Sequence, residues 1–197
     1  MSTDELEILV NNMRIKDDKK NLKKVIDKID TYKTLTQKCI IVREYFVPQS
    51  TLFQDIIMKD LDIKKPINEI SGDGCKNKIN YEIKTSVHAK KSKINFVQIR
   101  PDHNIDYYIL IAYNLYDKNS SIGKAYIFKI PSEILYELVI KYGGYAHGTC
   151  NKLGKITKNN IKGRNCEYAL RCNPNSKNKK LWNEFLKYEV NYDKYEF

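Results

Sequence analysis

Two acids and a lysine crowd one short stretch, SGDGCKNKINYEIKTS, residues 71 to 86: Asp73, Glu82 and Lys84. In an extended strand, positions i and i+2 share a face, so Glu82 and Lys84 point the same way, opposite Tyr81, Ile83 and Thr85. The segment between Asp73 and Glu82 contains a glycine and an Asn-Lys pair. Such residues turn a hairpin, and the fold-back brings Asp73 beside Glu82. Two carboxylates held together repel unless a cation joins them, and hard oxygen ligands in a partly open site favour Mg²⁺. A lysine beside them polarises water and stabilises developing negative charge. These groups suit metal-assisted phosphodiester hydrolysis, with Asp73 and Glu82 as metal ligands and Lys84 acting on water. The same residues also suit a solvated hairpin edge of alternating charge, because so short a pattern recurs by chance.

The elements around this stretch divide by period. The first 65 residues read as helices: Leu6, Leu9, Val10 and Met13, then Leu22, Val25, Ile26 and Ile29, keep helical spacing. TLTQKCIIVREYFV fits a helix or a strand, with a helix ended before Pro48 favoured, and Ser50 reads as the N-cap of the next helix, TLFQDIIMKDL. After Pro66 the period changes to two. INYEIKTSV alternates, and INFVQI, DYYILIAYNLY and KAYIFKI are rich in β-branched and aromatic residues. DYYILIAYNLY is apolar on both faces, as a central covered strand must be. SEILYELVIKY reads as a helix stopping at Gly143-Gly144, CEYALRC as a short strand, and KNKKLWNEFLKYEV as a final amphipathic helix. The expectation is one α/β domain over 1–197 with a mixed central β-sheet flanked by α-helices. Within it, 1–65 is mainly helical, 66–142 holds the catalytic sheet core, and 143–197 is a basic segment with a C-terminal helix.

Composition narrows the class of partner. The chain carries 35 Lys and Arg against 24 Asp and Glu, a net charge of +11. Frequent Lys, Asn and Ile fit an AT-rich genome, but the charge is uneven. Residues 141–180 hold ten basic residues and one acid, Glu167, which is +9 for that segment. A polyanion-binding surface is the expectation there. The five cysteines form no C-x-x-C pair, so free thiols are expected rather than a zinc site or disulfide framework. No apolar run is long enough to span a bilayer, and MSTDELEILV does not read as a signal peptide. A cytoplasmic location with no membrane contact is therefore expected.

The stretch resembles the active-site motif of the PD-(D/E)XK, restriction-endonuclease-like superfamily. Asp73 matches the first acid, and Glu82-Ile83-Lys84 matches the E-x-K. Gly72 stands where the family has proline. The following INFVQIRPDHNIDYYILIAYNLY is similar to the strand pair after E-x-K in many type II restriction enzymes, with Gln98 and Arg100 at matching places. The resemblance covers about residues 68 to 190. It implies a restriction-endonuclease-like core and a Mg²⁺-dependent endonuclease, often a homodimer, cutting double-stranded DNA at a short sequence. Gln98 would support the site. Two other functions fit the same residues: a repair or junction-resolving nuclease of this superfamily, and a basic nucleic-acid-binding protein without catalysis.

Other residues are candidates for gripping DNA. Lys90 and Lys91, in the HAKKSK loop, adjoin the site. Lys155, Lys158 and Lys162 lie in the basic segment, and Arg164 and Asn165 are suited to reading guanine and adenine edges. Glu44 and Glu69 are candidates for a further acid but read as surface or capping residues. His88, His103 and His147 share no metal-ligand spacing, and Tyr107, Tyr108 and Tyr113 read as core rather than as a base-stacking platform.

Overall fold

A computed structural model describes residues 34–45, 50–87, 93–116, 122–146, 153–163 and 165–192. Both proposed N-terminal helices before residue 34 lie outside the described residues, as do His88, Lys90, Lys91, His147 and Arg164, and the side chains of Glu44 and Glu69.

Two helices precede the site: α1 (Leu35–Tyr45) and α2 (Ser50–Asp60). A 3₁₀ turn, Glu69–Ser71, leads into strands β1 (Gly74–Lys76) and β2 (Ile79–Ser86). Asn77 and Lys78 connect these strands with φ of 54° and 66°, the paired positive values that a tight hairpin loop requires. Strands β3 (Ile94–Ile99), β4 (Tyr107–Leu115) and β5 (Gly123–Pro131) follow, then helix α3 (Ser132–Tyr142). The chain ends with β6 (Gly144–Tyr145), β7 (Tyr168–Cys172) and helix α4 (Lys180–Leu186).

The α/β class and the mixed sheet are as expected, but the strands divide between two sheets. Four strands run in the order β1-β2-β4-β5, with β2 and β4 parallel and the outer pairs antiparallel. INFVQI leaves this sheet and joins β7 and β6 in a second one, order β3-β7-β6. The pattern in β3 is Ile94, Phe96 and Ile99 inward, with an irregularity between Phe96 and Ile99 where Gln98 takes φ 57°. Periodicity identifies such a strand but does not choose its partner.

Strand β4 explains the layering. Ile109, Ile111 and Tyr113 face one core with Cys39, Phe53 and Ile57 of α1 and α2. Tyr108, Leu110 and Ala112 face the other, with Phe96, Tyr168, Trp182 and Phe185. Alternation with period two therefore supplies two apolar faces, and each is covered. Each large side chain so buried contributes about 1.5–3 kcal/mol. Tyr108 and Tyr113 are fully buried, so the core reading of these tyrosines holds. Lys38, also buried, is paired with Asp60, which accepts a further bond from the Tyr192 hydroxyl. This ties α1, α2 and the C-terminal segment together. Cys39, Cys75, Cys166 and Cys172 are free thiols. Among the described residues no helix is long and apolar enough to cross a membrane.

Candidate active site

Register places the three motif residues. Glu82 pairs with Tyr108 and Lys84 with Leu110 across β2 and β4. Cross-strand partners share a face, so both charged side chains project toward the side where the second sheet lies. Ile83 goes the other way, into the core against α1 and α2. Glu82 is 6% exposed and forms an ion pair with Lys84, itself mostly buried. A carboxylate so desolvated persists only with such a partner.

Asp73 arrives by a backbone device. Gly72 has φ 78° and ψ −161°, a region essentially open only to glycine. A Cβ there would stand 2.5 Å from the Tyr81 carbonyl oxygen and 3.2 Å from Glu82 Oε2. Proline, with φ fixed near about −65°, cannot occupy this position. The turn lets the Asp73 amide donate to the Tyr81 carbonyl at 2.9 Å. The Asp73 Oδ2 then accepts the Ile83 amide at 2.8 Å. Asp73 is thus held between the two residues of the E-x-K on the open edge of β2.

Burial pushes the Asp73 carboxyl up from 3.8 to about 6, and the neighbouring Glu82 carboxylate adds to the rise. Lys84, the Ile83 amide and Arg100 oppose it without cancelling it. The fold-back therefore brings Asp73, Glu82 and Lys84 into one electrostatically coupled cluster.

A wall beside this cluster was not legible as such. Arg100, at the end of β3, donates from Nε to Glu167 Oε1 at 2.9 Å and from Nη2 to the same oxygen. The following turn carries His103, whose imidazole is pushed below its ordinary value by burial and by the charges of Arg100 and Lys84. Asp102, in the same turn, accepts from the Gly163 and Asn165 amides, the latter at 3.0 Å. No spacing rule marks His103, since its relation to Lys84 arises from the path between the sheets. Gln54 of α2 is a second residue that sequence reasoning passed over. Its Nε2 donates to the Ile83 carbonyl at 2.6 Å.

The remaining candidates are dispersed. Gln98 sits on the irregular part of β3 with an exposed side chain. Lys155 is exposed. Lys158 is paired with Glu137 at 3.3 Å and Lys162 with Glu133 at 2.8 Å, both acids belonging to α3. Asn165 is exposed, with φ 47°. The excess of +9 counted along residues 141–180 is therefore reduced in space, because a window along the chain omits the acids that fold against it.

The donor set suits a hard cation. Asp73 and Glu82 supply carboxylate oxygens; burial is the main cause of the rise in the Asp73 pKa, and the repulsion from Glu82 that adds to it is one a cation would relieve. Among the described residues no group of three or more His, Cys, Asp and Glu gathers in a metal-binding arrangement. Two carboxylates with remaining positions left to water match Mg²⁺, which dehydrates reluctantly, better than a cation needing a full protein cage. Comparison with family models, with curated proteins and with solved structures gives no match.

Proposed function

We propose that this chain is a Mg²⁺-dependent endonuclease of the type II restriction kind, hydrolysing double-stranded DNA at a short specific sequence. The observation that carries the reading is the convergence of Asp73 on the Ile83 amide, between Glu82 and Lys84. Asp73 and Glu82 would hold the cation, which supplies Lewis-acid polarisation of a phosphoryl oxygen and charge to offset the developing anion. Lys84 orients the attacking water and stabilises negative charge as it grows. Water adds to phosphorus and the bond to the 3′ oxygen breaks. One proton of the water ends on the departing oxygen, leaving a 3′-hydroxyl and a 5′-phosphate.

The exposed cations support a polyanionic substrate. Lys155 is open, and the pairs made by Lys158 and Lys162 are at the surface, where an ion pair contributes about 0–1 kcal/mol. A phosphate can displace Glu133 or Glu137 from such a lysine at little loss. One D–E-x-K set cuts one strand, so a homodimer on a palindrome is the simplest route to cutting both.

The test is purified protein with plasmid DNA, in Mg²⁺ and in EDTA. Discrete linear fragments with 5′-phosphate ends, formed only with Mg²⁺ and abolished in Asp73→Ala and Glu82→Ala, are expected. Intact DNA at every metal concentration would overturn catalysis. Cutting confined to branched substrates would move the function to junction resolution.

A further inference from the structure

We infer that Gln54 is a positioning residue of this site, fixing the peptide that joins Ile83 to Lys84 and thereby the placement of Lys84 against Glu82. The inference rests on the nuclease reading.

The argument begins with the shortness of β1. It pairs with β2 only through Gly74↔Tyr81, Cys75↔Asn80 and Lys76↔Ile79, while β2 continues to Ser86. Beyond Tyr81 the outer edge of β2 has lost its neighbouring strand. In a strand, the amide and carbonyl of one residue point to the same side, so both polar groups of Ile83 face this vacated edge. A backbone group left unpaired there would loosen the strand at the position that carries the motif.

Two side chains take the place of the missing strand. The Ile83 amide is held by Asp73 Oδ2 at 2.8 Å. The Ile83 carbonyl is held by Gln54 Nε2 at 2.6 Å. The first bond fixes the peptide between Glu82 and Ile83, and the second fixes the peptide between Ile83 and Lys84. Further along, Arg43 Nη1 of α1 donates to the Val87 carbonyl at 3.0 Å, so the same edge is capped again beyond the motif.

Gln54 is itself well anchored. Its neighbours on α2, Phe53, Ile56 and Ile57, are buried in the core that also contains Ile83. Glutamine suits the position on chemical grounds. It must donate to a carbonyl, which glutamate cannot do when ionised, and a third carboxylate would add to the repulsion already raising Asp73. The rate of an oriented reaction is sensitive to displacement, a misplacement of about 1 Å costing about a hundredfold. Releasing the Ile83–Lys84 peptide should therefore slow the chemical step without weakening the hold on DNA.

The experiment compares wild type with Gln54→Ala and Gln54→Met, the latter keeping the length and apolar stem while removing the donor. Three quantities are read: the carbonyl ¹³C resonance of Ile83, kcat and KM on plasmid DNA, and DNA affinity in EDTA. The expected result is an upfield move of the Ile83 carbonyl resonance, kcat lower by at least about tenfold, and KM and affinity within about twofold. If Gln54→Ala does not fold, Gln54→Met carries the test. A moved resonance with wild-type kcat would overturn the positioning role, and an unmoved resonance would overturn the bond. A change confined to KM would show that Gln54 acts on DNA contact instead. A wild type that leaves DNA intact would sink the nuclease reading, and the catalytic role with it.

Discussion

Asp73 should destabilise the metal-free protein at neutral pH, and replacing it with asparagine should make the fold stronger while abolishing cleavage. An acid whose pKa is higher in the folded state than in the unfolded chain is bound more tightly by protons when folded. Stability therefore falls as pH rises through the interval between the two values, here from 3.8 to about 6, and stays low above it. A rise of about two units corresponds to about 3 kcal/mol, an upper bound for the loss from this one group. Asp73→Asn removes the charge but keeps a side-chain oxygen to accept the Ile83 amide. In EDTA at pH 8 the variant should be more stable than wild type by about 2–3 kcal/mol. Near pH 2 the two should nearly coincide, since wild-type Asp73 is then protonated in both states. Urea denaturation with unchanged m-values measures this directly, and the difference between variant and wild type cancels the other titrating groups. Excess Mg²⁺ at pH 8 should close the gap, because binding at about a hundred times Kd stabilises the folded wild type by about 2.7 kcal/mol. A variant less stable than wild type at pH 8, or a difference independent of pH, would refute the account of Asp73 as a half-buried carboxylate only partly compensated by its neighbours.

Lys84→Ala should lower stability by about 3 kcal/mol, because Glu82 is left buried without its partner. Adding Glu82→Gln should recover most of that loss, which a double-mutant cycle in urea would check. Gly72→Ala should reduce stability by about 1–3 kcal/mol from backbone strain alone and more from the close approach to the Tyr81 carbonyl. Thermal denaturation should show a fall of several degrees. Glu133→Gln and Glu137→Gln should strengthen DNA binding by freeing Lys162 and Lys158, and each cation newly engaged with phosphate should steepen the log–log salt dependence by about 0.9. Binding titrations at several salt concentrations would show it, and an unchanged slope would place this face away from DNA.

Local pattern predicted the elements well because hydrophobic period depends only on near neighbours in sequence. β4 was legible as a covered strand because Ile109, Ile111 and Tyr113 alternate with Tyr108, Leu110 and Ala112, all apolar. The hairpin was legible because Asn77 tolerates the positive φ that the turn demands, which Lys78 also takes. What was not legible concerns choice of partner. Nothing in INFVQI says that it should pair with β7 instead of β2, since that depends on shape and on contacts made by residues more than sixty positions away. The same limit hid Gln54, whose role exists only because β1 is three residues long. It also inflated the basic segment, for Glu133 and Glu137 precede it in sequence and fold back upon it.

The fold alone gives no reason for Asp73 to be a carboxylate. Its Oδ2 caps the Ile83 amide, and an asparagine or a serine at that turn would do the same without charge. Glu82 already has Lys84 to balance it, so Asp73 adds a negative charge to a cluster that was neutral as a pair. Among the described residues the second oxygen of Asp73 accepts no hydrogen bond, and the rise to about 6 measures how poorly the surroundings tolerate the charge. Glycine at position 72, in a conformation few other residues can adopt, brings this ill-tolerated group within reach of Glu82. A merely structural turn would relax on both counts. Under the nuclease reading proposed above, a small divalent cation would complete the cluster, since two carboxylate oxygens beside a lysine admit it more readily than another side chain.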